Sequence, residues 1–283
     1  MTESVEETPP FDFVELEHGR VHYRLQGPKE APLAVLVHGM GVPLFVWKPL
    51  ADRLRNEGFR TLRFDLYGRG YSDKPSVANN AALFEAQLWQ LLEAVGLEEP
   101  IHLIGSSMGG AISVVAASRQ PSRIRSLTLI SPAGTKLAMP WTSKVLKLKV
   151  IGELIPRGWA RRTYLSKIRE NFFDESLTEK FVEKLLHQME HPGFFESLLS
   201  TLRHFPLSDM EEDYRALGFT EVPTLLLWGT HDKIVPYANH PAVLDTIPEV
   251  QFHTITECGH VPHYEKPDEV MKMVLPFLQR HLA

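Results

Sequence analysis

Cysteine is nearly absent: the chain of 283 residues has one, Cys258. A lone thiol excludes an internal disulfide and any multi-cysteine metal site, and it fits a reducing compartment. Basic residues are not in excess either. Thirty Lys and Arg stand against 35 Asp and Glu, for a net charge of −5, so no global cationic field draws in nucleic acid. Nowhere does an apolar run approach the roughly 18 residues that span a bilayer. The first ten residues hold Glu3, Glu6 and Glu7 and no Lys or Arg. A secretory leader needs a basic start and an apolar stretch, so a cytoplasmic protein is expected, with Thr8-Pro9-Pro10 as a short disordered tail. What is present is 43% hydrophobic and 23% charged, an ordinary globular mixture that can bury a core without disulfides. The length suits one large domain, or a domain carrying an inserted lobe.

The apolar pattern alternates between two periods. Residues around Phe11–Leu16 and Val21, Tyr23, Leu25 read as two half-buried strands joined at His18-Gly19, antiparallel at one sheet edge. Leu33–Val37 is apolar on both faces, as a central parallel strand requires. Trp47, Leu50 and Leu54 recur at helical spacing before Gly58. Strands then fall at 61–64, 101–104, 124–130, 224–228 and 250–255, with helices at 81–95, 111–118, near Ala242 and from Pro267. Such alternation predicts an α/β fold with a mostly parallel sheet. From about Thr135 to Thr220 strand-like runs stop and helical spacing takes over, as in Phe181, Leu185, Leu186 and Met189. The expected organisation is a sheet domain of residues 1–134 and 221–283, with 135–220 inserted as a helical cap.

Gly105-Ser106-Ser107-Met108-Gly109 follows a predicted strand and precedes a predicted helix. That G-x-S-x-G setting describes a strained elbow exposing the Ser107 hydroxyl, with glycines where strand and helix approach closely. The plainer alternative is a βα turn whose serine caps the helix. A serine hydroxyl is a weak nucleophile that needs a base, itself oriented by an acid. The expected order is Ser…Asp…His. Asp232 lies just past strand 224–228 in Gly229-Thr230-His231-Asp232, and His260 follows strand 250–255 in Glu257-Cys258-Gly259-His260. Both loops leave the C-terminal ends of strands, where α/β sites gather. An Asx turn and a solvated loop histidine are the plainer readings of each residue alone. For an oxyanion, one donor is expected from the Met108 N–H and the other from the Met40 N–H in His38-Gly39-Met40-Gly41.

Rival residues have weaker settings. His231 and His263 point elsewhere along their loops, and His38 is expected to bond loop backbone. Asp65 and Asp73 fix turns of a glycine-rich loop. Ser131-Pro132-Ala133-Gly134 offers no acid after strand 124–130. Cys258 lacks the strand–turn–helix setting of a nucleophile and is read as structural.

Taken with Asp65-Leu66-Tyr67-Gly68-Arg69-Gly70-Tyr71-Ser72 and Gly110, these motifs resemble the α/β-hydrolase superfamily from about Phe11 to the end. The resemblance implies a Ser107–Asp232–His260 triad, a Met40/Met108 oxyanion hole and an acyl-enzyme mechanism, with no cofactor and no metal. Relatives that are dehalogenases or epoxide hydrolases look for aspartate at the elbow, which Ser107 argues against. Those that cleave carbon–carbon bonds tend to have tryptophan soon after the histidine, where this chain has Val261-Pro262-His263-Tyr264. A carboxylesterase acting on a small-molecule ester with an apolar acyl group is therefore expected. A monoacylglycerol-type lipase, a lactonase, a carbon–carbon hydrolase and a non-catalytic ligand receptor are the alternatives.

The start of the cap is basic. Lys136, Lys144, Lys147, Lys149, Arg157, Arg161, Arg162, Lys167 and Arg169 face only Glu153, among Trp141, Val145, Leu148, Ile151, Leu154, Ile155 and Trp159. Such a segment can rest on an anionic lipid surface. The preferred reading is an ordinary surface helix with its apolar side on the substrate.

Overall fold

The computed structural model describes residues 12–135, 157–189, 191 and 193–282. The tail before residue 12, Phe11 included, lies outside them, as does most of the basic segment, from Lys136 through Trp141 to Ile155. Eight strands form one sheet: β1 (Asp12–Leu16), β2 (Gly19–Gln26), β3 (Leu33–Val37), β4 (Arg60–Phe64), β5 (Ile101–Ser106), β6 (Ile124–Ile130), β7 (Thr224–Gly229) and β8 (Gln251–Ile255). Their order is β1-β2-β4-β3-β5-β6-β7-β8. β1 pairs antiparallel with β2, and β2 with β4. Every pairing from β4 across to β8 is parallel.

The period of two explains why this sheet is covered twice. Val35 and Val37 of β3, Leu127 and Leu129 of β6, and Leu226 and Trp228 of β7 join one buried cluster. Ala34, Leu36, Ile130, Leu225 and Leu227, one residue out of phase, join the other. Over the first face lie α2 (Ala81–Ala94) and α3 (Met108–Arg119). Asn80 starts α2 by accepting from the Leu83 N–H at 2.9 Å, and Gly96 follows it at φ 69°, the left-handed exit that glycine takes without strain. Over the second face lie α1 (Lys48–Asn56) and the C-terminal α10 (Pro267–Arg280), which pack together through Leu50, Leu54, Val270, Val274 and Phe277. Two short helices, α8 (His240–Leu244) and α9 (Pro262–Glu265), follow β7 and β8.

Between β6 and β7 the described chain is helical: α4 (Arg157–Arg169), α5 (Thr178–Met189), α6 (Phe194–His204) and α7 (Glu211–Gly218). Phe181, Leu185 and Met189 bury one stripe of α5, the i, i+4, i+8 spacing of a single helical face. Phe181 meets Phe45 at 5.2 Å, Phe172 at 4.9 Å and Tyr264 at 5.0 Å between ring centroids, so aromatic packing seats this helical segment on the loops after β3 and β8. The last helix, α7, packs on α3, and its Tyr214 hydroxyl donates to the Ala133 carbonyl at 2.6 Å. Trp159 on α4 is 52% exposed, while Ile168 is buried. Lys167 pairs with Glu170 and Arg169 with Glu179. Among the described residues no helix is long and apolar enough to cross a membrane.

Candidate active site

The turn from β5 into α3 places Ser107 at φ 55° and ψ −123°. This conformation costs a residue with a Cβ on the order of 1–3 kcal/mol, and the surroundings must impose it. They do so by bonding both sides of the residue. Its N–H donates to the Ile130 carbonyl at 3.0 Å, and its carbonyl accepts from Ala133 at 2.9 Å and Ala111 at 3.2 Å. A Cβ on Gly105 would strike the Gly109 carbonyl and Ser113, and one on Gly109 would strike the Val37 and His38 carbonyls. The elbow therefore exists because strand, helix and the end of β3 approach to backbone contact. Although Ser107 occupies the N-cap position of α3, its side chain makes no capping bond, which removes the plainer reading of this serine. Ser131 at φ 45° and Glu257 at φ 49° are the other non-glycine residues with positive φ among those described. They follow β6 and β8, at the same C-terminal end of the parallel strands as Ser107.

Asp232 and His260 come together across the ends of β7 and β8. The His260 Nδ1 lies 2.7 Å from Asp232 Oδ2, and the residues are 4% and 6% exposed respectively. Because a carboxylate only accepts, Nδ1 carries the proton and Nε2 is left as the basic nitrogen. Asp232 Oδ1 accepts from the N–H groups of Ile234 at 2.9 Å and Val235 at 2.8 Å. The carboxylate thus makes an Asx turn and orients the imidazole at once. Trp228 Nε1 donates to the Val235 carbonyl at 3.0 Å, tying that loop to the core.

The Met40 loop runs beside Ser107. A Cβ built on Gly39 would lie 3.2 Å from the Ser107 Cβ and 3.6 Å from its Oγ. His38 Nδ1 bonds the Gly39 carbonyl at 2.7 Å, and its Nε2 accepts from the Leu66 N–H at 2.9 Å. The two bonds require a neutral ring protonated on Nδ1. Burial, which pushes its pKa down to about 4, keeps it neutral. Met108 is fully buried at the first turn of α3. Among the described residues, neither the Met40 nor the Met108 N–H has a protein acceptor.

The rivals are engaged elsewhere. His231 lies against Phe173, 4.4 Å between centroids. His263 stacks on Trp47 at 4.0 Å and is pushed down to about 3, chiefly by burial. Asp65 accepts from the Leu44 and Tyr71 N–H groups and bonds His22, and Asp73 accepts from the Arg20 N–H. Cys258 is buried, and burial raises its thiol pKa. Among the described residues no group of three or more His, Cys, Asp and Glu is gathered to hold a metal ion.

Three residues that sequence reasoning passed over bear on this site. Glu265 accepts from the Gly259 N–H at 2.7 Å and the Cys258 thiol at 3.5 Å on one oxygen, and from the Phe173 and Asp174 N–H groups at 2.9 and 2.7 Å on the other. It joins the His260 loop to the segment after α4, and the His260 N–H itself donates to the Asn171 carbonyl at 2.6 Å. Its only signal in the sequence is an acid five residues past His260. The others, Arg69 and Tyr164, bond the Met40 loop.

A family model described as alpha/beta hydrolase fold matches residues 32–267. A 2-hydroxy-6-oxononadienedioate/2-hydroxy-6-oxononatrienedioate hydrolase of Paraburkholderia phymatum is 28% identical over 276 residues, covering 92% of this chain and 91% of that protein. Lipase 3 of a Moraxella species is 28% identical over 239 residues, 82% of this chain and 72% of the relative. In fold, the enol-lactonase of Burkholderia xenovorans superposes with a TM-score of 0.81 at 22% identity, over 95% of this chain and 100% of the other. With the matched model spanning most of its length, the chain belongs to the α/β-hydrolase fold family.

Proposed function

We propose that the protein is a serine hydrolase of carboxylic esters, using Ser107 as nucleophile, His260 as general base and Asp232 as the group that orients it. The observation that carries this reading is a strained Ser107 whose hydroxyl is not spent on capping α3, at the same C-terminal end of the parallel strands as a histidine with its Nδ1 committed to a carboxylate. His260 Nε2 takes the Ser107 proton as Oγ attacks the ester carbonyl, and the resulting oxyanion is met by the Met40 and Met108 N–H groups. Collapse expels the alcohol, which receives the proton from His260. Water, activated by the same nitrogen, then releases the acid from the acyl-enzyme. Residues 135–220 act as the cap over an apolar acyl group, with 1–134 and 221–283 as the hydrolase core.

Ser107→Ala removes the nucleophile and leaves the elbow backbone in place. Turnover of p-nitrophenyl esters and labelling by a fluorophosphonate should both vanish while the circular dichroism spectrum is kept. Undiminished turnover in that variant refutes the assignment, and a stoichiometric burst followed by near-zero turnover in the wild type favours a ligand receptor. A second reading keeps the triad and changes the bond, because relatives such as that of Comamonas testosteroni are named 2-hydroxy-6-oxo-6-phenylhexa-2,4-dienoate hydrolase. Val261-Pro262-His263-Tyr264 after the histidine speaks for esters. An ester chain-length series beside a vinylogous diketone separates the two readings by their kcat/KM values.

A further inference from the structure

Three successive carbonyls of the Met40 loop each carry a side-chain donor. The Gly39 carbonyl has His38 Nδ1 at 2.7 Å, the Met40 carbonyl has Arg69 Nε at 2.7 Å, and the Gly41 carbonyl has the Tyr164 hydroxyl. In a trans peptide the C=O and the following N–H point in opposite directions. Bonding Gly39 O therefore fixes where the Met40 N–H aims, and bonding the next two carbonyls stops the adjoining peptides from turning. Without such anchors a glycine-flanked loop can rotate a peptide and present a carbonyl where a donor is needed.

Two of the anchors depend on the helical insertion. Tyr164 belongs to α4 and is braced by Phe194 at 5.5 Å and Phe195 at 6.3 Å from α6. A Cβ on Gly41 would collide with the Tyr164 ring and hydroxyl, so the loop is bare where that tyrosine seats. Arg69 is fully buried. Its remaining bonds run to the Tyr67 carbonyl at 2.9 Å and to Ser197 Oγ and Thr201 Oγ1 of α6, at 2.8 and 2.6 Å. Asn79 Nδ2 bonds the same Ser197 hydroxyl at 2.7 Å. Among the described residues no carboxylate pairs with this guanidinium. A buried cation tied to Met40 by one hydrogen bond is itself favourable to negative charge developing there.

We infer that Arg69 and Tyr164 are positioning residues that hold the Met40 peptide as an oxyanion donor, so that the insertion, by seating α4 and α6, sets catalytic competence as well as access. The inference rests on the hydrolase reading above. It implies that the transition state, and not ground-state binding, senses these side chains.

The test compares wild type, Tyr164→Phe, Thr201→Val and Arg69→Lys, measuring kcat and KM for a p-nitrophenyl ester, inhibition by an alkyl boronic acid and thermal melting. The boronic acid forms a tetrahedral adduct on Ser107 and so reports on the oxyanion donors. Loosening a donor forfeits part of the hundred- to thousand-fold that losing one costs, so Tyr164→Phe should lower kcat by about tenfold. KM should stay within about twofold, the boronate Ki should rise in proportion to the kcat loss, and the melting temperature should be little changed. Arg69→Lys, which keeps charge and loses the fork, should lose more, and Thr201→Val less. An unchanged kcat and boronate Ki in Tyr164→Phe, or a loss confined to KM, overturns the inference while leaving the hydrolase reading intact. A wild type that neither turns over ester nor takes a fluorophosphonate on Ser107 overturns both.

Discussion

Replacing Glu265 by Gln tests how the His260 loop is held. Four donors converge on this carboxylate, two on each oxygen. The amide keeps one oxygen and turns the other acceptor into a donor facing donors. If the retained oxygen stays on the Phe173 and Asp174 N–H groups, Gly259 and Cys258 lose their acceptor, and the reverse flip releases Phe173 and Asp174. A hydrogen bond to a charged group contributes about 1.5–3 kcal/mol. Two such bonds would give about 3–6 kcal/mol, but Glu265 is partly exposed and water replaces part of each, so about 2 kcal/mol is expected. For a chain of this size that corresponds to a drop of roughly 4–8 °C in melting temperature. Either flip also loosens Gly259-His260, and with His260 as the proposed base its misplacement can cost up to about a hundredfold. The assay is thermal melting beside ester kinetics: kcat should fall at least about tenfold, with the rate of fluorophosphonate labelling falling alongside. A variant that melts lower at full kcat would mean that the carboxylate staples the loops without aiming His260. A variant unchanged in both would mean that the four donors are satisfied by water, and the reasoning fails.

Acid should unfold this protein well above the pKa of its carboxylates, because His38, His102 and His263 are buried neutral, with pKa values lowered to about 4, 4 and 3, chiefly by desolvation. Each binds a proton more readily unfolded than folded, so the stability it contributes is complete above about pH 6.5 and is lost as pH falls towards 4. His38 alone amounts to roughly 3 kcal/mol; a urea midpoint that is flat or rising from pH 6.5 to 5 contradicts this. His263→Phe keeps the stack on Trp47 and removes two ring nitrogens that have no partner among the described residues; it should flatten part of that acid slope, and an identical slope would relieve His263 of the role. Gly109→Ala sets a methyl against the Val37 and His38 carbonyls and should cost about 1–3 kcal/mol as well as ester turnover; a wild-type melting curve would mean that the elbow can spread.

Most of the sheet could be read in advance because each strand declares itself within a few residues. Leu33–Val37 is apolar on both faces because both faces are covered, and the glycines at 105 and 109 mark a close approach to Ser107 that needs no knowledge of distant partners. The Asp232–His260 bond was legible for a related reason: adjacent parallel strands bring their C-terminal loops to one end of the sheet, so order along the chain becomes proximity in space. Nothing comparable announces the contacts of the helices between β6 and β7. Tyr164 meets Gly41 across 123 positions and Arg69 meets Thr201 across 132, and no local period or turn encodes either pairing. Arg69 in particular sits in a loop whose glycines invite a purely conformational reading, while two of its hydrogen-bond partners lie on a helix more than a hundred residues away. The same physics explains why the packing over the site is harder to read than the site's own residues. Ser107, Asp232 and His260 are placed by strand ends, which the alternation specifies. The bonds that hold the Met40 loop depend on how separate helices settle over it, which only the packed chain determines.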